Sequence, residues 1–298
     1  MSKAITKKIE AGLQITKMDD ILLLTKFRLS LTVVISSVLA YLVSSKSGFS
    51  LSNLGLLFTG GLAITGAANG INQVLEKEFD AMMERTKNRP LPAKRMKSSE
   101  AVLISGVLLV FGTIILGMIN PLSAFLGMSS FILYAFVYTP LKRYSTLSVA
   151  VGAIPGALPV LIGVVANEGS ITILGITLFM VQFLWQFPHF WAISYLSFDD
   201  YDKAGYKLLP KNDDGSIDNN LGAYSALYSL LIIPTVFWSF YMGVSTGTLS
   251  TALIVIATLI YTWLGIRLQM KPSRQTALAL MFSSFVYLPI VLILFLIG

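Results

Sequence analysis

The sequence contains no cysteine, a single histidine and little charge. The lack of cysteine among 298 residues excludes disulfides, thiolate metal ligands and thiol nucleophiles. With His189 as the one histidine, no cluster of histidine ligands can form within one chain. Charged residues make up 12% of the chain, whereas about 25% is usual for a soluble domain. So little charge cannot cover the surface of a soluble globule of this size, and the composition argues against a water-soluble enzyme.

Apolar residues are abundant instead, at 55% of the chain, and the mean hydropathy is +0.74. A helix that crosses a bilayer needs roughly 20 predominantly apolar residues. Nine such runs are found, near residues 28–45, 51–73, 101–119, 122–141, 147–166, 171–194, 221–242, 248–267 and 276–297. The sequence therefore predicts an all-α membrane protein, a bundle of nine transmembrane helices over residues 28–298. Residues 1–27 are too polar for a cleaved signal peptide and are interpreted as a cytoplasmic amphipathic lead-in.

The basic residues are distributed unevenly between the predicted loops. Of the 22 lysines and arginines, Lys46 alone falls in the first, third, fifth or seventh loop. Since an excess of lysine and arginine marks the cytoplasmic side, the amino terminus is predicted inside and Gly298 outside. This orientation assumes a bacterial inner membrane, which the lead-in favours because it is not Arg-rich and acid-poor as a mitochondrial transit peptide would be. The net charge of +7 then indicates an anionic ligand and the lipid bilayer as partners, and no nucleic acid.

Three oxygen-bearing side chains, Asn72, Glu76 and Asp80, recur every fourth residue as the second span ends. On a helix, each four-residue step advances about 6 Å and turns about 40°, so all three project from one face. Carboxylate and amide oxygens suit Mg²⁺, which is commonly bound by one or two carboxylates together with substrate phosphates. The alternative interpretation is a polar helix end that simply reaches water.

Cations follow this acidic face directly, in Arg85, Lys87 and Arg89. Arginine binds phosphate oxygens two at a time and lysine acts as a point charge, so carboxylates beside a basic loop suit a metal-bound diphosphate. Lys142 and Arg143 close the fourth span in the same way. The alternative for each basic group is a topology signal without a ligand.

A second long loop, 195–220, lies on the same predicted membrane face as loop 74–100. It begins with Asp199, Asp200 and Asp202, so the two acidic segments could converge on one or two metal ions, although a solvated loop is the other interpretation.

His189 lies near the end of the sixth span, between Trp185 and Trp191. Ionisable groups inside membrane spans are costly and often functional, but a lone histidine is also compatible with simple packing.

Together these residues resemble the UbiA superfamily of intramembrane prenyltransferases. The superfamily's first motif is Asn-x-x-x-Asp-x-x-x-Asp, from which Asn72, Glu76 and Asp80 depart by one methylene. Phe27 stands where the pattern Thr-Lys-Pro-Arg has proline. Other stretches are similar to the haem branch of the superfamily: Met83–Leu91, Tyr138–Arg143, Gly152–Pro159, Trp185–Trp191 and Asp199–Gly205.

The resemblance implies a nine-span bundle with a cavity open to the cytoplasmic leaflet and catalytic cytoplasmic loops 74–100 and 195–220. It implies transfer of farnesyl from farnesyl diphosphate to a vinyl group of haem b, giving haem O, with Mg²⁺ as cofactor and a downstream haem A synthase as a partner. The implied metal ligands are Asn72, Glu76, Asp80, Asp199 and Asp200, the first four of them also catalytic. The implied diphosphate contacts are Arg85, Arg89, Lys142, Arg143 and Lys26, and the implied haem contact is His189.

Three other functions are considered. A quinone-pathway enzyme that prenylates an aromatic acid is the alternative within the superfamily, and the stretches above speak against it. A transporter of an anionic lipid should show repeat symmetry and charges near mid-membrane. A non-catalytic haem-handling assembly factor would need neither acidic segment.

Overall fold

The chain is almost entirely helical in the computed structural model, which describes residues 15–45, 48–244 and 247–298. Within these ranges no β-strand forms, and one isolated bridge joins Lys211 to Ile217. The predictions for residues 1–14 of the lead-in and for Lys46 lie outside the described residues.

Nine of the helices in the described ranges are long and apolar enough to cross a membrane. They are α2 (Phe27–Ser44), α3 (Leu51–Met82), α4 (Ser98–Gly117), α5 (Pro121–Leu141), α6 (Ser148–Glu168), α7 (Ile173–Leu196), α9 (Leu221–Tyr241), α10 (Thr248–Met270) and α11 (Arg274–Ile297). Two shorter helices, α1 (Lys17–Leu24) and α8 (Phe198–Lys203), precede α2 and follow α7. The prediction of an all-α, nine-span membrane protein is confirmed.

Helix α3 is the one span whose predicted end is clearly wrong. It runs for 32 residues to Met82 and not to residue 73, so loop 74–100 begins as helix. At 1.5 Å per residue it is about 48 Å long, well beyond the roughly 30 Å hydrocarbon core. The polar residues after position 73 end the hydrophobic run without ending the helix. The other span ends differ from prediction by at most three residues.

The spans close into a ring in which most sequence neighbours pack side by side, and α11 returns to pack on α2 and α7. Small residues allow the closest approaches. A Cβ atom built on Gly163 of α6 would lie 2.1 Å from the carbonyl oxygen of Ser37 in α2. The same construction on Gly112 of α4 meets the carbonyl oxygen of Gly60 in α3 at 2.9 Å. Larger side chains at these glycines would push the helices apart.

Helix α1, the described part of the lead-in, packs against the end of α3 and its loop. It begins with a capping box formed by Thr16 and Asp19. Asp20 is buried and pairs with Arg95, whose Nε lies 2.9 Å from the carboxylate. Arg95 also donates to the carbonyl of Asn88 at 2.9 Å. The lead-in is therefore attached to the basic loop that follows α3.

Candidate active site

The three predicted oxygen ligands on α3 share one buried face. Asn72, Glu76 and Asp80 are 1%, 3% and 0% exposed, so the helical spacing does place them together and away from solvent. Asn72 Nδ2 donates to a carboxylate oxygen of Glu76 at 2.9 Å. The alternative, a helix end that reaches water, does not describe these residues.

Each buried carboxylate is paired with a predicted diphosphate-binding cation. Arg89 contacts Asp80 at 2.6 Å, and Lys142 contacts the second oxygen of Glu76. A carboxylate with no counter-charge would be costly at this depth, so the cations stabilise the acids that the α3 spacing buries. The predicted metal ligands Glu76 and Asp80 and the predicted diphosphate contacts Lys142 and Arg89 therefore form one interleaved cluster.

Lys26 reaches the same cluster from the turn between α1 and α2. Its Nζ donates to Oδ1 of Asn72 at 2.9 Å. Burial, reinforced by the positive charge of Arg89, lowers the pKa of Lys26 to about 7. An incoming anion beside Lys26 would favour its charged form again, which suits a phosphate-binding group.

Aromatic rings surround the cations. Nζ of Lys142 lies 4.9 Å from the ring centroid of Tyr138 and 5.1 Å from that of Tyr206, and the guanidinium of Arg143 lies 3.8 Å from that of Phe79. These distances are in the range of cation–π contacts. Burial, with the negative charges of Glu76 and Asp80 nearby, raises the pKa of Tyr206. Tyr206 therefore stays a neutral hydroxyl beside the cluster.

A π-helical segment in α5 faces this cluster. Residues Leu133–Tyr138 adopt the wider helix, and Thr139 follows it. The Thr139 hydroxyl donates to the carbonyl of Tyr134 at 2.8 Å and accepts from Asn72 Nδ2 at 3.0 Å. Such π segments occur frequently at functional sites, and here one places a hydroxyl against a predicted ligand.

The second predicted loop contacts the cluster through aromatic residues. Arg85 donates to the hydroxyl of Tyr201 in α8 at 2.9 Å, and Tyr206 packs 5.9 Å from Phe79, centroid to centroid. Arg143 donates to the carbonyl of Leu75 at 3.2 Å. The two loops therefore meet at one end of the bundle.

The acids of that loop are placed differently from those of α3. Asp199 is exposed and Asp200 half-buried, while Asp202 pairs with Lys211. Within the described ranges, no three histidine, cysteine, aspartate or glutamate side chains are grouped closely enough to hold a metal ion. Metal ligation by Asp199 and Asp200 stays a prediction.

The α3 donor set nevertheless fits a hard cation. Oδ1 of Asp80 is buried without a hydrogen-bond partner in the described part of the chain, which leaves carboxylate lone pairs available. Mg²⁺ prefers such oxygens together with water and phosphate. Because lysine and arginine surround the acids, a divalent cation fits best when it arrives with an anionic partner.

His189 lies on α7, apart from these contacts, and its ring packs against α11. Its Nδ1 is 2.6 Å from the hydroxyl of Ser284, and its ring stacks on Trp185 at 4.7 Å between centroids. Phe285 contacts the ring edge-on at 5.1 Å. Since Nδ1 is occupied, Nε2 is the nitrogen left for another partner. Haem binding at His189 stays a prediction.

Several residues of the site had no predicted role. Tyr138 and Thr139 lie within the stretch Tyr138–Arg143, for which the sequence predicts a role only at Lys142 and Arg143. Tyr201 and Tyr206 lie in the second loop, where the predicted roles belong to the aspartates. Gln73, next to Asn72, is completely buried. The signal in the sequence was an amide residue at the end of an apolar run, directly beside Asn72.

Three comparisons place the chain among known proteins. The UbiA prenyltransferase family matches residues 33–286. A protoheme IX farnesyltransferase from Cytophaga hutchinsonii is 41% identical over 273 residues, which cover 91% of this chain and 94% of the relative. Another from Christiangramia forsetii is 41% identical over 285 residues, covering 93% and 92%.

Solved structures share the fold at lower identity. The structure of a digeranylgeranylglyceryl phosphate synthase has a TM-score of 0.79 at 20% identity, covering 95% of this chain and 99% of the other. A UbiA homolog from Archaeoglobus fulgidus bound to DMAPP and Mg²⁺ has a TM-score of 0.67 at 16% identity, covering 91% and 99%. The nine-span architecture, the sequence match and the relatives agree: the chain belongs to the UbiA prenyltransferase family.

Proposed function

We propose that this chain transfers the farnesyl group of farnesyl diphosphate to a vinyl group of haem b, giving haem O. The observation that carries the proposal is the interleaved cluster at the end of α3, in which buried Glu76 and Asp80 alternate with cations. A cluster of this kind suits a diphosphate held with a divalent metal. The name shared by the relatives at 41% identity supports haem as the acceptor.

In this proposal, the cations of the cluster bind the oxygens of the diphosphate. As the bond between the farnesyl carbon and the bridging oxygen breaks, negative charge grows on the leaving group. Lys142, Arg89 and Lys26 stabilise that charge, with Arg85 and Arg143 at the edge of the site. Opposite charges placed in advance are worth more in a buried site than in water. As the diphosphate leaves, the farnesyl carbon bonds to the terminal carbon of the vinyl group. Water then adds to the cation left on the inner vinyl carbon and loses a proton, which gives the hydroxyethylfarnesyl chain.

Mg²⁺ would be held by Asn72, Glu76 and Asp80, with Asp199 and Asp200 from the second loop. When bound, it would act as a Lewis acid on the diphosphate oxygens. A UbiA homolog binds Mg²⁺ together with an isoprenyl diphosphate, which supports this assignment. The ion pairs of Glu76 with Lys142 and of Asp80 with Arg89 must then loosen, so that the acids face metal and the cations face phosphate.

His189 is proposed to contact haem, through the ring nitrogen that Ser284 does not occupy. The apolar spans hold the prenyl chain and keep water from the reacting carbon. Residues 1–27 form the cytoplasmic lead-in, residues 28–298 form the catalytic domain, and haem A synthase acts downstream on the product.

The orientation is part of the proposal: amino terminus and site at the cytoplasmic face of a bacterial inner membrane, carboxy terminus outside. Since the chain has no cysteine, single cysteines give a clean test. Asp213→Cys and Ser170→Cys lie in exposed connections on opposite predicted sides. An impermeant maleimide added to spheroplasts should label only the second, and labelling of only the first would reverse the orientation.

The activity is tested with purified protein, Mg²⁺, farnesyl diphosphate and haem b, with products identified by mass spectrometry. The expected product has the mass of haem b plus a farnesyl group and a hydroxyl group, and it should form only with divalent metal. Prenylation of an aromatic acid with no haem product would move the enzyme to the quinone branch. No product with either acceptor would favour the assembly-factor alternative.

A further inference from the structure

The turn between α1 and α2 has an unusual backbone at Lys26. Its φ is +45°, in the left-handed region that side chains other than glycine rarely adopt. The residue precedes α2 and has no side-chain capping bond. A strained conformation of this kind persists only where its surroundings hold it. At Lys26 it directs the side chain into the active-site cluster, where Nζ meets Asn72.

Two side-chain amides of α3, those of Gln73 and Asn69, also contact this turn. Gln73 Nε2 donates to the carbonyl oxygens of both Leu23 and Leu24, at 2.8 and 2.7 Å. Both carbonyls lie at the end of α1, where backbone acceptors run short of intrahelical donors. That of Leu23 also accepts from the backbone amide of Lys26 at 3.2 Å. Because Leu23 and Leu24 are themselves buried, at 8% and 0% exposure, water does not offer those carbonyls the same bonds.

Asn69, one turn earlier on α3, holds the other end of the turn. Its Nδ2 donates to the hydroxyl of Ser30 at 3.1 Å and lies 3.4 Å from the carbonyl of Thr25. Ser30 in turn donates to the same Thr25 carbonyl at 2.8 Å. We refer to Asn69 and Gln73, with the backbone they hold, as the amide clasp.

The clasp and the Lys26 contact lie on one short stretch of α3. Asn69, Asn72 and Gln73 are within two helical turns, and all three are buried. The clasp fixes the backbone on both sides of Lys26, while Asn72 receives its ammonium group. Within the described part of the chain, neither Asn69 nor Gln73 forms a hydrogen bond to the carboxylates or to the other cations of the cluster.

We propose that Gln73 and Asn69 are positioning residues for the diphosphate: they hold the α1–α2 turn so that the Lys26 ammonium points into the site. The proposal rests on the proposed function, since it takes the anion at this cluster to be a prenyl diphosphate. It assigns the clasp no contact with substrate. The clasp acts on the backbone of Lys26, which would otherwise relax to a conformation that directs the ammonium group away from the site.

The test is a double-mutant cycle on Gln73→Met and Lys26→Met. Methionine keeps the length of each side chain and removes its hydrogen bonds. The readouts are the Kd of farnesyl thiolodiphosphate, an unreactive analogue, and KM and kcat in the farnesyl-transfer assay. Each single variant should raise the Kd of the analogue about tenfold and lower kcat/KM by at least as much, because Lys26 binds the diphosphate and also stabilises the charge that grows on it. In the Lys26→Met background, Gln73→Met should add nothing, because the cation it positions is gone.

Gln182 on α7 provides the matched control. Its Nε2 donates to the carbonyl of Gly156 at 2.7 Å, and it is 4% exposed, so Gln182→Met removes a comparable buried amide bond. That variant should leave the Kd for the analogue unchanged. Unchanged binding in Gln73→Met, or multiplication of the two single effects in the double variant, would overturn the positioning role.

Folding is monitored by size-exclusion profile and thermal unfolding of each variant. Where Gln73→Met yields no folded protein, Asn69→Ala takes its place, with about a threefold weaker affinity expected because its bonds are longer, and the same lack of additivity. Wild-type protein that fails to bind the analogue would contradict the proposed function. Wild-type binding that Gln73→Met and Asn69→Ala both leave intact would contradict the clasp alone.

Discussion

The two acidic segments look alike in sequence and differ in the folded chain. On α3, Glu76 and Asp80 are 3% and 0% exposed and each contacts a cation. On α8, Asp199 is exposed, and the Asp202 side chain retains 52% exposure while paired with Lys211. The first segment continues a 32-residue helix packed among other spans, whereas the second is a six-residue helix at the edge. Burial therefore distinguishes two acidic segments that both follow an apolar span.

The difference bears on energetics, because charge interactions are several-fold stronger in a buried site than in water. A carboxylate buried beside its counter-ion has already lost its hydration when substrate arrives. An exposed carboxylate must give up hydration before it contributes. The α3 segment is therefore expected to dominate catalysis, and the α8 segment to assist.

The largest expected effect comes from Asp80→Asn. The change keeps the shape, removes the charge and leaves Arg89 without its partner. Turnover should fall by at least about a hundredfold, the size associated with loss of one electrostatic group at a reacting centre. Rate is measured across a Mg²⁺ titration. Asp213→Asn, in an exposed loop, is the control. Wild-type turnover of Asp80→Asn at ordinary Mg²⁺ would remove Asp80 from the metal site.

A smaller loss is expected from Asp199→Asn and Asp200→Asn. Asp199 is exposed and Asp200 half-buried, so solvent partly screens both charges. Each change should reduce turnover about tenfold and raise the Mg²⁺ concentration needed for half-maximal rate. The measurement is the same titration, run beside Asp80→Asn. A loss as large as that of Asp80→Asn would mean that α8 closes over the bound substrate, and the contrast between the two segments would then hold only for the free protein.

The third prediction concerns Glu76, where the superfamily motif has aspartate. Glu76→Asp shortens the arm by one methylene and draws the carboxylate away from Lys142 and Asn72, which it now contacts. A loss of about threefold to tenfold is expected, since the charge remains and only its geometry changes. Glu76→Gln should lose more. Equal losses would show that position, and not charge, is what this residue supplies.

The sequence predicts the spans because the length of a hydrophobic run can be read from consecutive residues. It also predicts the face shared by Asn72, Glu76 and Asp80, because helical periodicity depends only on nearby residues. It missed the end of α3 because polar residues lower hydropathy without breaking a helix. The pairing of Glu76 with Lys142 and of His189 with Ser284 depends on which helices become neighbours. The position of the Lys26 side chain depends on a left-handed backbone conformation, which the presence of a lysine does not predict. Such features belong to tertiary packing and leave no periodic trace.

The smallest effect is expected at the contact that joins the two segments. Arg85 donates to the Tyr201 hydroxyl at 2.9 Å and its guanidinium carbon lies 5.5 Å from the ring centroid. Tyr201→Phe removes the hydroxyl and keeps the ring, so the cation–π contact survives. Because the hydrogen bond is exposed, KM for farnesyl diphosphate should rise by only about twofold, with kcat unchanged. Tyr201→Leu, which removes the ring as well, should cost more. If Tyr201→Phe instead lowers kcat as strongly as Asp199→Asn does, the hydroxyl acts on the reacting groups, and α8 belongs to the catalytic centre as fully as α3.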